Sequence, residues 1–223
     1  MATTSRRPEE EVTERRIADF YEFAVAHLPS PPSRLLEIGC GRGELALALA
    51  KAGHAVTAID PEAPEGTIFR QVRLEDFADP EPYDAVLANV SLHHIENLPA
   101  AVDRVAGLLH PAGVLVLEEF ASERLSGRTG RWYFDQRRAL SGDESNLPSD
   151  FETWHARWKG DHEIHSYAAV RRELDRCFVE VTSAWVPYLY SYRLDDTLEP
   201  LERELIAAGE IEPVGVRFVG TRR

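Results

Sequence analysis

The residues most suited to holding a small ligand lie in Glu37-Ile38-Gly39-Cys40-Gly41-Arg42-Gly43, which ends the apolar run Arg34 to Ile38. Glycine lets the backbone bend tightly and lets a ligand lie against bare main chain. The alanine and leucine run from Glu44 to Ala52 is a strong helix former, so the turn opens onto the unpaired N–H groups of a helix start. A dinucleotide turn of the Gly-x-Gly-x-x-Gly kind needs a third glycine where the helix packs on the sheet. That position holds Glu44 here, and glycine sits instead at Gly43. A diphosphate would meet Glu37 and Glu44 unfavourably. A ligand with a cationic amino-acid end would meet Glu37 favourably.

A second group follows the apolar segment Tyr83 to Ala88: Asn89-Val90-Ser91-Leu92-His93-His94. A neutral imidazole near pH 7 is able to take a proton, so His93 or His94 is a candidate base. The competing view is that one histidine caps the next helix and the other packs. Glu118 and Glu119 end a further apolar run, and strand alternation sends them to opposite faces, so one of the two points into any cleft at that edge. Glu119 is the candidate; solvated or ion-paired carboxylates are the plainer alternative. Beyond them Trp132, Trp154, His155, Trp158, His162 and His165 gather in one stretch. The aromatic residues suit a wall or lid over an apolar ligand, or ordinary helix packing. His162 and His165 are three apart, but no cysteine or acid cluster completes a donor set, so no metal is expected.

Taken in order, the glycine turn, Asp60, YDAVLANVSLHHI and PAGVLVLEEF resemble the motifs of class I S-adenosylmethionine-dependent methyltransferases of the small-molecule type. The resemblance covers residues 30–120 and extends to the C-terminal strand pair. It implies a cofactor site of Glu37, Gly39, Cys40, Gly41, Asp60, Leu74, Glu75, Asn89 and Val90. Asp60 would bind both ribose hydroxyls, since a carboxylate offers two acceptor oxygens to a vicinal diol. Two departures stand out. Pro61 to Gly66 leaves room only for a turn where the family has a full helix, and Arg73 stands where the family often has an acid that reads adenine. Backbone near Leu74 and Glu75 is expected to take that part. Methyl transfer is an in-line displacement, so a protein mainly aligns the partners and excludes water; a base matters where the acceptor must lose a proton. His93, His94 and Glu119 are the catalytic candidates, and Tyr21, Trp132, Trp158 and His165 the acceptor candidates.

The elements that must position these residues alternate in kind. A helix is expected over 12–28, then strands at 34–38, 54–60, 67–74, 83–88 and 114–120, with helices at 44–52 and 99–109 between them. Such alternation implies a doubly wound, mostly parallel α/β sheet, Rossmann-like and, by the resemblance, seven-stranded with its last strand antiparallel. Residues 121–165 break the rhythm as a helical insertion. A helix at 166–176, a strand at 178–185, a helix at 195–208 and a strand at 211–222 complete the chain. The expected organisation is one domain over 1–223: tail and N-terminal helix (1–29), cofactor-binding core (30–120), insertion or lid (121–165) and the rest of the sheet (166–223).

The 223 residues carry a formal charge of −13, which disfavours nucleic acid and anionic membranes as partners. Cys40 and Cys177 make no disulfide framework, and a cytoplasmic protein, monomer or homodimer, is expected. The expected activity is methyl transfer from S-adenosylmethionine to O, N or C of a small organic acceptor. The alternative is an S-adenosylmethionine-binding module without transfer activity.

Overall fold

A computed structural model describes residues 14–141, 147–161 and 164–223. Its strands are β1 (Arg34–Ile38), β2 (Ala55–Asp60), β3 (Phe69–Gln71), β4 (Tyr83–Asn89), β5 (Leu109–Phe120), β6 (Phe178–Val186) and β7 (Gly215–Arg222). Its helices are α1 (Glu14–Val25), α2 (Glu44–Lys51), α3 (Leu98–Leu108), α4 (Gly127–Ser141), α5 (Phe151–Asp161), α6 (Tyr167–Cys177) and α7 (Glu199–Ala207). The strands form one sheet in the order β3-β2-β1-β4-β5-β7-β6. β7 runs antiparallel to both β5 and β6, and the pairings among β1 to β5 are parallel.

Strand alternation divides the core between two faces. On one, Leu35, Ala58, Leu87 and Val116 pack under Phe20 and Ala24 of α1 and Leu45, Ala46 and Leu49 of α2. On the other, Leu36, Ile38, Ile59, Val86 and Leu117 pack under Val102 and Val105 of α3 and Val170 and Leu174 of α6. A third apolar cluster lies beyond β5, where Phe120 and Leu125 meet Tyr133 and Phe134 of α4, Phe151, Trp154 and Trp158 of α5, and Tyr188 and Leu189 after β6.

Several boundaries differ from expectation for local reasons. β3 spans three residues rather than 67–74. The Val72 N–H makes the last ladder bond, to the Asp60 carbonyl, and Asp76 and Phe77 then donate to the Arg73 carbonyl. That turn drops Leu74 and Phe77 into the core, so apolar residues that read as a strand are buried by a bend. β5 begins at Leu109, because Leu109 already pairs with Tyr83 across an irregularity in the register. The helix expected from Asp195 splits into a 3-10 turn, Asp196–Leu198, and α7. β7 starts at Gly215 rather than Ile211, because the Ile211 N–H still closes the end of α7 on the Leu205 carbonyl.

The insertion is tied to the sheet through α6. Ser166 caps that helix, and the Glu123 carboxylate accepts from the Tyr167 and Ala168 N–H groups at 3.1 and 3.0 Å. Such caps contribute about 1 kcal/mol each. No described helix is long and apolar enough to cross a membrane.

Candidate functional site

The sheet order reverses between β1 and β4, the crevice where ligands sit in open α/β sheets. Three glycines after β1 take left-handed φ values: Gly39 (+71°), Gly41 (+55°) and Gly43 (+87°). The Gly39 and Cys40 N–H groups both donate to the Ile59 carbonyl, at 2.8 and 3.2 Å, which folds the turn over β2. From the other side Ser91 Oγ donates to the Ile38 carbonyl at 2.9 Å. A Cβ on Gly39 would lie 2.5 Å from Ser91 Cβ. The loops after β1 and β4 therefore touch, and they touch where only glycine fits. Gly39→Ala is expected to cost about 1–3 kcal/mol from the left-handed φ together with displacement of Ser91. Urea unfolding checks this, and a midpoint equal to the parent's would mean that the two loops separate freely.

Asp60 is buried at the tip of β2. Its Oδ2 accepts from Gly41 N–H at 3.1 Å and its Oδ1 from Glu62 N–H at 2.8 Å. The carboxylate thus orders the glycine turn and caps the following bend. Pro61 to Gly66 forms turns and no helix, as the sequence leads one to expect.

Glu37 is 3% exposed on the α1–α2 face of β1. Burial pushes its carboxyl up to about 8, against the Ala46 N–H, which lowers it; the charges of Glu44 and Asp60 raise it further. Glu37 Oε2 and Asn89 Oδ1 are buried without hydrogen-bond partners among the described residues. Glu37 pairs in register with Leu87, so Asn89 stands one rung above it on the same face. Two unfilled acceptors beside a bare glycine turn fit a ligand that brings N–H donors. Cys40 is buried with its side chain in the α1–α2 cluster and Leu74 is buried in the opposite one, so both face the core and only their backbone is offered to a ligand. Glu75 is exposed.

Val90 has φ +53°, a left-handed conformation unusual for a β-branched residue and worth about 1–3 kcal/mol of strain. Its N–H donates to the Glu118 carbonyl at 2.7 Å, which holds the bend, and its side chain packs on the third apolar cluster. Val90 so joins the cofactor crevice to the aromatic insertion.

The two acids of β5 do take opposite faces, and both are fully occupied. Glu119 is 0% exposed; its Oε1 accepts from Leu92 N–H at 2.9 Å and its Oε2 meets His93 Nδ1. This corrects its expected place as a group facing the acceptor: it reaches the rim only through His93. The His93 ring is buried and lies tilted against that of His94, with centroids 4.1 Å apart, while His94 is exposed. Glu118 is neither solvated nor open to the cleft. It accepts from Arg16 Nε at 2.9 Å and Arg217 Nε at 2.6 Å, with the Arg16 guanidinium 3.7 Å from the Tyr188 ring centroid.

The acceptor candidates divide. Trp158 is buried in the third cluster, edge-on to Phe120 at 6.1 Å, and Trp132 packs on that cluster half-buried. Phe120 in turn stacks on Tyr188 at 4.9 Å. The Tyr133 hydroxyl donates to the Tyr192 carbonyl at 2.9 Å, and burial pushes it up to about 12. His165 is a strut rather than an open side chain: its N–H donates to the His93 carbonyl at 2.9 Å, and Nε2 lies 3.0 Å from the Ile95 carbonyl. The α5–α6 connection is thereby tied to the turn that carries His93. Tyr21 is half-buried against α2 and the sheet, away from the aromatic cluster. His162 lies outside the described residues.

Sequence reasoning missed Arg16, Tyr188 and the buried Glu202. Glu202 accepts three backbone N–H bonds from Tyr188, Leu189 and Tyr190, at 2.9, 3.1 and 2.7 Å, and so shapes the turn that carries Tyr188. A signal existed for Arg16: with Phe20 and Ala24 it shares one stripe at four-residue spacing, and a lone charge in an apolar stripe marks a buried ion pair.

A methyltransferase domain family model matches residues 9–180. The chain belongs to that family. With its strand order, this makes it a class I S-adenosylmethionine-dependent methyltransferase. An uncharacterized methyltransferase of Mycobacterium tuberculosis is 33% identical over 120 residues, 48% of this chain and 60% of the relative. A ubiquinone biosynthesis O-methyltransferase of Xanthomonas campestris is 34% identical over 111 residues, 43% of this chain and 46% of the relative. The methyltransferase described here thus spans about half the length of such curated relatives. The fold matches an S-adenosylmethionine-dependent methyltransferase from Mesorhizobium loti with TM-score 0.60 at 16% identity, over 93% of this chain and all of the other. It also matches a 1,6-didemethyltoxoflavin N1-methyltransferase from Burkholderia thailandensis with TM-score 0.58 at 18% identity, over 92% of this chain and 77% of that one.

Proposed function

We propose that this methyltransferase moves the methyl group of S-adenosylmethionine to an ionisable oxygen or nitrogen of a small acceptor, with His93 as the base. The observation that carries the reading is the His93–Glu119 pair at the rim of the crevice. A carboxylate on Nδ1 fixes the tautomer with hydrogen on Nδ1, which leaves Nε2 as the proton-accepting nitrogen. Oxygen is the favoured acceptor atom, supported by the O-methyltransferase relatives. Carbon acceptors have less need of such a base.

The cofactor, when bound, supplies an electrophilic methyl on sulfonium. Asp60 would hold the ribose diol, Glu37 and Asn89 the ammonium, and Gly39 and Gly41 the backbone wall; Leu74 and Glu75 would border adenine. The strained Val90 and the cluster of Phe120, Tyr188 and Trp158 would form the acceptor side, with the 121–165 insertion excluding water.

Two measurements test this. Isothermal titration should show S-adenosylhomocysteine binding, weakened roughly 10- to 150-fold in Asp60→Ala by loss of charge-assisted hydrogen bonds. Unchanged affinity in a folded variant would remove Asp60 from the site. Release of S-adenosylhomocysteine on presenting a diverse set of hydroxyl and N–H acceptors should then identify the acceptor class. Binding with no release from any acceptor would favour a module without transfer activity.

A further inference from the structure

We propose that Glu37 holds a proton in the cofactor-free protein and gives it up to solvent when the cofactor's ammonium arrives, so that cofactor binding is coupled to proton release. The inference rests on the S-adenosylmethionine reading above.

The geometry around Glu37 is lopsided. Its carboxyl is buried on β1, with Ala58 and Leu87 flanking it in register on β2 and β4. From α2 the Ala46 N–H donates to it and the Glu44 carboxylate faces it, while Asp60 reaches it from β2. From β4 the orphan Asn89 Oδ1 stands one rung above. α1 turns Phe20 and Ala24 to this face, and its buried Arg16 is spent on Glu118, two strands away. The Arg42 of the turn pairs with Glu44. Among the described residues Glu37 therefore has one donor, two like charges and no cation of its own, with one oxygen unfilled. Burial of a carboxylate on those terms favours the protonated form, in keeping with its raised position near 8.

An incoming ammonium reverses the balance. It brings one positive charge and N–H donors to the two empty acceptors, Glu37 Oε2 and Asn89 Oδ1. The carboxyl O–H bond then breaks, its electron pair stays on Glu37 as carboxylate, and the proton passes to the buffer. No other group changes its charge.

The test is titration calorimetry with S-adenosylhomocysteine near pH 7 in buffers of different ionisation enthalpy. The slope of binding heat against that enthalpy counts protons. The parent should release about one proton, and less as the pH is raised. Glu37→Gln, which mimics the protonated acid and keeps the Ala46 bond, should release none and bind roughly ten- to a hundredfold more weakly. A second readout needs no ligand. A carboxyl raised in the folded state contributes stability at low pH that is lost as pH rises from its ordinary range, near 4.5, through about 8. The thermal midpoint of the parent should fall across that window by more than that of Glu37→Gln. Heat independent of buffer in the parent, or the same proton count in Glu37→Gln, overturns the proposal while leaving the cofactor assignment intact. No binding of S-adenosylhomocysteine at all overturns the cofactor reading and this inference with it.

Discussion

Glu118→Ala is expected to destabilise the fold by about 3–5 kcal/mol, the range for breaking a buried ion pair and leaving its partner charged. Glu118 is shared by two guanidiniums whose side chains are 4% and 19% exposed, those of Arg16 and Arg217. Without the carboxylate both cations remain, close together, and Arg16 cannot reach water without leaving its place over the Tyr188 ring. The consequence is local as well as global. α1 is held on the sheet by its apolar stripe and by polar ties on one side: Arg16 to Glu118, Arg15 Nη2 to Glu199 at 2.6 Å, and the Tyr190 hydroxyl to Asp19 at 3.0 Å. Arg15 is largely exposed, so its tie contributes little. Amide exchange in α1 should therefore quicken before the central strands open. The triple substitution Arg16→Met, Glu118→Leu and Arg217→Met should recover most of the loss, because apolar residues of similar volume replace a buried ion cluster at little cost. Urea unfolding of the three proteins decides the matter: a Glu118→Ala midpoint within the error of the parent's would show that the two arginines find other partners.

The alternation of strands and helices was legible because its signals are local and repeated. Apolar runs of strand length alternate with alanine- and leucine-rich segments, and the glycine turn sits at the first crossover. The insertion was legible as a break in that rhythm. What the sequence did not reveal were contacts made across large separations. Arg16 and Glu118 are 102 residues apart, and Arg217 meets Glu118 from 99 residues further on. Periodicity places each residue on a face of its own element, but says nothing of which distant charge waits there. Alternation did place Glu118 and Glu119 on opposite faces. It could not say that both would be buried, since burial depends on α1 covering one face and on the turn at Leu92 to His94 covering the other. The length of β3 was illegible for a related reason: an edge strand has one partner, so residues 72–77 gain more by turning Leu74 and Phe77 inward than by extending the ladder.

The site shows the same division. Glu37, Asp60 and Asn89 lie at the C-terminal ends of β1, β2 and β4, with Gly39 and Gly41 in the turn after β1, and each of those places was readable from the apolar run that leads to it. The surroundings of the acceptor candidates were not. Trp158 and His165 stood out by residue type, yet type does not distinguish a wall from a strut. His165 is spent on backbone carbonyls, and Trp158 on aromatic neighbours. Val90 packs on the cluster that holds Trp158.

His93→Gln is expected to lower turnover by about 10²–10⁴-fold while leaving S-adenosylhomocysteine affinity within about twofold, since a base acts on the acceptor's proton and not on cofactor binding. The companion Glu119→Gln separates positioning from packing. Glu119 Oε1 accepts from Leu92 N–H, so a glutamine there must keep its oxygen on that bond. Its amide nitrogen then faces His93 Nδ1, which must accept rather than donate. The imidazole is forced into the tautomer with hydrogen on Nε2, and Nε2 no longer takes a proton. Turnover should fall nearly as far as in His93→Gln, although the histidine, its contact with His94 and the turn all remain. The two losses should not add in the double variant, because both remove one function. A purely structural role for Glu119 predicts otherwise: a large drop in thermal midpoint, weaker cofactor binding, and a double variant worse than either single one. Full turnover in a folded His93→Gln would mean that alignment of acceptor and methyl suffices, and that the proton leaves to water.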